Sequence, residues 1–190
     1  MTEKAARSIQ SIQWVPAERL GQMNVEPMVR TWLIAKGMLS GRVKAVCGEH
    51  FALRLIEQWT GLLTSSHRLG LRSDDTAGLF RDIEMVHGGQ VWIFGETVMP
   101  DSTLSLHPWL AELGDTPLDE TLIGLSGVDR GSYEYAWLPA DDPLATRALR
   151  AAGAKPEGLW ARRSRVALRG APLLMHEVFL PGMGRRRESV

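Results

Sequence analysis

The 190-residue chain predicts a single α+β domain, an antiparallel sheet of about six strands with helices inserted between them. Three observations carry this reading. Period-two runs come in pairs joined by tight turns, at 79–98 around Gly88-Gly89 and at 158–181 around Arg169-Gly170-Ala171-Pro172. Helical-period runs gather into two clusters, each read as a helical hairpin. No internal repeat, low-complexity tract or linker divides the chain, and its length suffices to bury roughly 70% of the unfolded surface in one core.

The elements follow in order. Residues 1–24 are weakly patterned, with Trp14-Val15-Pro16 as their only anchor-like group. Pro27 sits at a good first helical position, and Met28, Val29, Trp32 and Leu33 follow at helical spacing. A second short helix is expected from Ser40 to Val46, joined to the first through Gly37-Met38-Leu39. Phe51, Leu53, Leu55, Glu57 and Trp59 alternate with Ala52, Arg54 and Ile56 as a strand. Residues 60–77, rich in Ser, Gly and Asp, read as a long loop. In the next hairpin Arg81, Ile83 and Met85 share one face of the first strand, and Trp92, Phe94, Glu96 and Val98 share one of the second.

A helix capped by Thr103 or Ser105 is expected to run through Leu106, Leu110 and Leu113 to Gly114. Thr116-Pro117-Leu118 opens another, with Thr116 as cap, reaching about Leu125. Tyr133 to Trp137 reads as a strand, and Asp142-Pro143 opens an Ala-rich helix that Gly153 stops. In the last strand Leu173, Met175, Glu177 and Phe179 fall on one face, and Leu174, His176, Val178 and Leu180 on the other. Both faces are apolar, so the strand is expected to be covered on both sides.

Composition excludes several function classes. Lys plus Arg and Asp plus Glu both number 22, so no net field calls for nucleic acid or an anionic membrane. The Arg185-Arg186-Arg187 run reads as part of a solvated, flexible tail over 181–190. Cys47 is alone, which suits a reducing compartment. With no apolar leader region and no run of ~18 apolar residues, a soluble cytoplasmic protein is expected. There is no phosphate-cradling Gly loop and no G-x-S-x-G elbow. His50, His67, His87, His107 and His176 show no metal-ligand spacing, and His176 reads as a hydrogen-bonded core histidine.

What remains is a pair of charges on apolar strand faces, Arg81 and Glu177. A carboxylate among Leu, Met and Phe is costly unless a cation or hydrogen-bond donors meet it. One reading is a buried structural ion pair between the two. The other is a recognition pair with a cavity between them, Arg81 taking a ligand carboxylate and Glu177 a ligand hydroxyl. Glu57 and Glu96 are further strand acids that exposure at an edge would explain.

The strand bearing Glu177 and its neighbour carry a resemblance. Leu159-Trp160-Ala161-Arg162-Arg163-Ser164-Arg165, Pro172-Leu173-Leu174 and Glu177-Val178-Phe179-Leu180-Pro181 resemble the C-terminal signature of the chorismate lyase (4-hydroxybenzoate synthase) family. Arg81-Asp-Ile-Glu, Gly95-Glu-Thr-Val-Met-Pro100, Ser102-Thr103-Leu104 and Leu113-Gly-Asp-Thr-Pro-Leu118 appear in that family's order and spacing. The resemblance covers about 79–125 and 158–181, with a weaker echo from Trp32 to Met38. It implies one α+β domain with a six-stranded antiparallel sheet and an internal ligand cavity under two helix-turn-helix flaps. The two helical hairpins are the candidates for those flaps.

The resemblance further implies a lyase that eliminates pyruvate from chorismate and leaves 4-hydroxybenzoate, at the head of ubiquinone synthesis. Aromatisation drives the step, so neither a cofactor nor a metal is implied, and a monomer is expected. By position, Arg81 would grip the ring carboxylate and Glu177 the ring hydroxyl. The Leu118 amide would point into the site, and Met38 would touch the ligand from the first flap. Glu96 departs from the family pattern by standing where Arg is expected, and 136–156 reads as an insertion lying outside the site. The same fold serves as the effector domain of some transcription regulators, so a non-catalytic ligand-binding module is an alternative, as is a relative making another hydroxybenzoate. A regulator would need a DNA-binding domain of roughly 70 further residues and a basic recognition helix.

Overall fold

The computed structural model describes residues 12–155, 157–181 and 183. Its organising elements are the two hairpins read from the sequence. Gly88 and Gly89, at φ 52° and 80°, make the two-residue turn between β3 (Ala77–His87) and β4 (Gln90–Pro100). Positive φ at both positions gives a turn whose twist matches that of the strands. Arg169 and Gly170 do the same between β7 (Leu159–Leu168) and β8 (Ala171–Phe179), so Ala171 and Pro172 belong to the strand rather than to the turn. The two hairpins are joined side by side where β4 pairs β8, with Gly95 opposite Glu177.

Three more strands extend this sheet. β2 (Phe51–Leu62) pairs β3, and β6 (Glu134–Leu138) pairs β7. β1 (Val15–Pro16), the Trp14 anchor region, adds an edge to β6. A three-residue strand, β5 (Val128–Arg130), pairs β7 beside β6. The order is β1-β6-β7-β8-β4-β3-β2, antiparallel at every pairing. The expected six strands are thus present, with two short ones in addition.

Seven helices, among the described residues, cover this sheet on both faces. On one face lie α1 (Ala17–Leu20), α2 (Pro27–Leu33) and α3 (Leu39–Cys47). Their Leu20, Leu33, Leu39 and Val43 pack against Ile83, Met85, Ile93 and Phe179. On the same face α5 (Asp101–Leu106) and α6 (Leu118–Ile123) flank a tight 3-10 turn at Pro108–Glu112. Leu110, Leu113, Leu118 and Leu122 there pack on Leu79, Met99, Val166 and Leu173. The opposite face is covered by α4 (Ser65–Leu71), packed with Phe80, Val98 and Leu174, and by α7 (Pro143–Ala151), packed with Phe94, Ala161 and Val178.

Several boundaries differ from the sequence expectation. Residues 60–77 are not one loop, because β2 continues to Leu62 and α4 follows. The start of α4 is a capping box. The Thr64 hydroxyl accepts from the His67 N–H at 3.2 Å, and His67 Nδ1 accepts from the Thr64 N–H at 3.3 Å. Histidine in the place of the usual Glu or Gln hides that start in the sequence. The helix expected to end at Gly114 starts at Asp101 with no side-chain cap, and it breaks at His107 because Pro108 has no N–H to donate. α6 stops at Ile123 rather than near Leu125, and Pro117 takes the cap position expected for Thr116.

Trp92 does not share the face of Phe94. The β3–β4 register shifts between Met85↔Ile93 and Val86↔Val91, leaving Trp92 as an extra residue in a bulge. Its ring turns toward the first flap and meets Trp32 edge-on at 6.1 Å. Of the tail expected over 181–190, Pro181 and Met183 are described, Met183 being buried; the rest lies outside the described residues, as do 1–11.

Candidate active site

Strand alternation decides which side chains meet under the flaps. Arg81 lies in a cross-strand row with Thr97, Met175 and Ser164. In the next row Ile83, Gly95, Glu177 and Arg162 stand side by side. Gly95 is the low point of this floor, since a Cβ there would lie 3.0 Å from Ile83 Cδ1. Arg81, Gly95, Thr97, Pro117, Leu118, Asp119, Met175 and Glu177 line one cavity beneath the second flap. The space open to a water centre is about 30 Å³, room for one or two waters, so a benzoate-sized ring enters only if the flaps move.

Arg81 is 1% exposed and has no carboxylate within ion-pair reach among the described residues. Its Nη2 donates to the Gly114 and Thr116 carbonyls at 2.6 and 3.0 Å, tying β3 to the second flap. Its Nε is buried with no hydrogen-bond partner. Burial pushes the guanidinium pKa down, against a smaller upward pull from Asp115. A buried, unpaired donor of this kind calls for an acceptor from elsewhere.

Glu177 does have a cation, but it is not Arg81. Arg162, fully buried on β7, places its Nε against Glu177 Oε2. The expected alternative of an Arg81–Glu177 ion pair is therefore wrong: β4 runs between them, and Arg162 is the nearer cation across the β7–β8 ladder. Nη1 of Arg162 donates to the Leu33 and Ala35 carbonyls at 3.0 and 2.6 Å, at the end of α2. The Tyr133 ring covers its guanidinium at 4.2 Å. Burial alone would lower the Arg162 pKa; the charge and hydrogen bond of Glu177 outweigh it and raise it. The period-two run Trp160, Arg162, Ser164, Val166 could have placed Arg162 opposite Glu177, but pairing β7 with β8 in register requires knowing the turn at Arg169-Gly170.

Leu118, 3% exposed, lines the cavity as the first residue of α6, where its N–H has no partner within the helix. Met38 does not line that cavity. It borders an adjoining groove of about 530 Å³ with Gly37, Asp119, Leu122, Val128 and Arg130. Asp119 belongs to both spaces and latches the flaps together. Its carboxylate accepts from the Ser40 hydroxyl at 2.7 Å and the Ser40 N–H at 3.2 Å, 79 residues away. No sequence pattern marks that contact.

The reverse face of the same strands carries a second set of buried charges. Glu96 is 3% exposed, so edge exposure does not explain it; its strand is central. Arg147, on α7, pairs with both Glu96 and Asp82, and His176 Nδ1 lies 2.9 Å from Glu96 Oε1. Residues 136–155 do not line the cavity, and they include Arg147, the cation that meets Glu96. Burial would push Glu96 up, but His176 and Arg147 hold it below the usual carboxylate range. Burial does push Asp82 up, to about 7, against Arg147.

Comparison with known proteins bears on the fold and the family. Effector domains of transcription regulators share the fold: that of PhnF from Mycobacterium smegmatis superposes at TM-score 0.57 with 13% identity, over 78% of this chain and 91% of that one. The C-terminal domain of the histidine utilization repressor from Pseudomonas syringae gives 0.56 with 10% identity, over 74% and 98%. At such identity the likeness concerns fold alone. Two sequence relatives are nearer. A probable chorismate pyruvate-lyase of Azoarcus sp. is 34% identical over 83% of this chain and 86% of its own length. The chorismate pyruvate-lyase of Salmonella arizonae is 31% identical over 83% and 85%. The model of the family described as chorismate lyase matches residues 8–187. With that match spanning nearly the whole chain, the protein belongs to the chorismate lyase family and is a lyase.

Proposed function

We propose that the protein eliminates pyruvate from chorismate to give 4-hydroxybenzoate, the first committed step toward ubiquinone, as a cytoplasmic monomer that needs no cofactor. The observation that supports this most directly is Arg81: a buried guanidinium without a carboxylate, its Nε unpartnered, in one cavity with Glu177. A planar fork of this kind suits the ring carboxylate. Glu177, steadied by Arg162, accepts the hydrogen bond of the ring C4 hydroxyl, and the Leu118 N–H approaches from the second flap.

The reaction balances without an added redox partner. C4 gives up its hydrogen as a proton, the C3–O bond breaks toward the enolpyruvyl oxygen, and the enol carbon ends with the proton as pyruvate. The ring gains aromaticity, which supplies the driving force. The residues hold the substrate in register, keep bulk water out beneath the flaps and offset charge on the departing oxygen. Incubation of the purified protein with chorismate should release pyruvate and 4-hydroxybenzoate in equal amounts, at a rate unchanged by excess chelator. A chelator-sensitive rate, or 3-hydroxybenzoate as the main product, overturns the reading.

A further inference from the structure

Chorismate carries two carboxylates, one on ring C1 and one on the enolpyruvyl arm at C3, and Arg81 as a single fork can grip one. Arg162 has its charge committed to Glu177 and its Nη1 to the carbonyls closing α2, so only Nη2 is left unpartnered and it offers no two-pronged fork. A third arginine lies beside the cavity, against Met175 of its lining. Arg130, the last residue of β5, donates to Ser164 Oγ at 2.9 Å and approaches Met175 Sδ at 3.6 Å. It has no carboxylate within ion-pair reach among the described residues. Ser164 and Met175 stand in the cross-strand row of Arg81, with Ser164 three strand spacings from it, about 14 Å between backbones. Arg81 and Arg130 thus reach in from opposite ends of one row, with Met175 between them. Arg130 also lines the adjoining groove, which meets the cavity at Asp119.

We infer that Arg130 is the subsite for the enolpyruvyl carboxylate of the substrate. This rests on the proposed chorismate reaction and adds to it a residue that distinguishes substrate from product. 4-Hydroxybenzoate has lost the arm, so its affinity owes nothing to Arg130, and the contact helps substrate without retaining 4-hydroxybenzoate. The departing enolpyruvate leaves toward the 530 Å³ groove rather than past Arg81.

The test compares chorismate KM with the Kd of 4-hydroxybenzoate for wild type, Arg130→Gln and Arg130→Lys. In Arg130→Gln the KM should rise at least tenfold while the product Kd stays within threefold, and Arg130→Lys should fall between. Chorismate methylated on the side-arm carboxylate gives a second measurement that needs no variant: its KM with wild type should rise by a similar factor, and Arg130→Gln should add little to it. Equal losses for substrate and product would assign Arg130 to structure alone. An unchanged chorismate KM, or wild type indifferent to the ester, would remove Arg130 from the site. A wild type that releases no pyruvate from chorismate is a different failure, that of the lyase reading itself, and takes this inference with it.

Discussion

Both faces of the central strands bury charges, and the two treat them differently. On the reverse face each buried carboxylate has a cation: Arg147 for Asp82 and Glu96, Arg54 for Glu84. On the flap face the imbalance runs the other way, since Glu177 has Arg162 while buried Arg81 and half-buried Arg130 have no carboxylate among the described residues. The orphaned buried atoms of the charged side chains agree. Arg81 Nε and Arg162 Nη2, both donors, lie on the flap face; Asp82 Oδ1 and Glu84 Oε1 lie on the other. A charge paired inside the protein belongs to the architecture, and a buried cation left without its counter-charge is a site for an anion. Residue type alone does not separate the two, because both faces use Arg and Glu on neighbouring strands.

The largest expected effect tests the paired face. Arg147→Ala leaves Glu96 and Asp82 buried without their cation and should cost about 3–5 kcal/mol of stability in denaturant unfolding. At a temperature where the variant is folded, 4-hydroxybenzoate affinity should stay within threefold of wild type. A large loss of affinity in the folded variant would show that the two faces are not separable.

Next in size is Glu177. The amide of Glu177→Gln can still accept from Arg162 and from a ring hydroxyl but cannot deliver a proton, so turnover should remain within ~10²-fold of wild type. Glu177→Ala strands Arg162 and should be both less active and less stable than Gln. If Gln and Ala are equally inactive while both bind 4-hydroxybenzoate, Glu177 transfers a proton and the hydrogen-bonding role is wrong. Arg81→Lys comes third. It keeps the charge and loses the fork, so product affinity should fall by more than tenfold, over ~1.4 kcal/mol. Because Arg81 also holds Gly114 and Thr116, a modest drop in Tm should accompany it. Normal binding with easy unfolding would return Arg81 to the structural class.

The smallest effect is a pH dependence on the reverse face. Asp82, raised to about 7 by burial, contributes stability that is full below its unfolded pKa near 4 and lost as pH rises through 7. His67, lowered to about 4 chiefly by burial, contributes stability present above 6.5 and lost as pH falls through 4. Between pH 4 and 6.5 the two slopes oppose each other. Asp82→Asn should therefore lose denaturant midpoint more steeply than wild type from pH 6.5 to 5, and His67→Gln should lose it less steeply. Parallel profiles in all three proteins would show that neither group titrates as its surroundings require.

Much of this was legible in the residues. Period-two alternation and the Gly88-Gly89 turn sufficed for the hairpins, because side-chain direction along a strand depends on local geometry only. The same alternation put Arg81 and Glu177 on apolar faces and marked them as needing partners. The resemblance in 79–125 and 158–181 pointed to the family that the whole-chain match shows. The α4 helix was missed for an equally local reason, a histidine filling the capping-box position.

What one strand does was thus written in its own sequence; what it faces was not. That Gly95 lies opposite Glu177 depends on β4 meeting β8, a pairing between segments some eighty residues apart. The same holds for Arg162 as the partner of Glu177, for Ser40 on Asp119, and for Arg147 reaching Glu96 from α7. Local propensity and period act over a few residues, and they determined the elements and which side chains would be costly to bury. The identity of each counter-charge is a property of register between distant strands and of how helices dock on the finished sheet. Only the tertiary structure could decide which buried arginines were satisfied and which were left for a ligand.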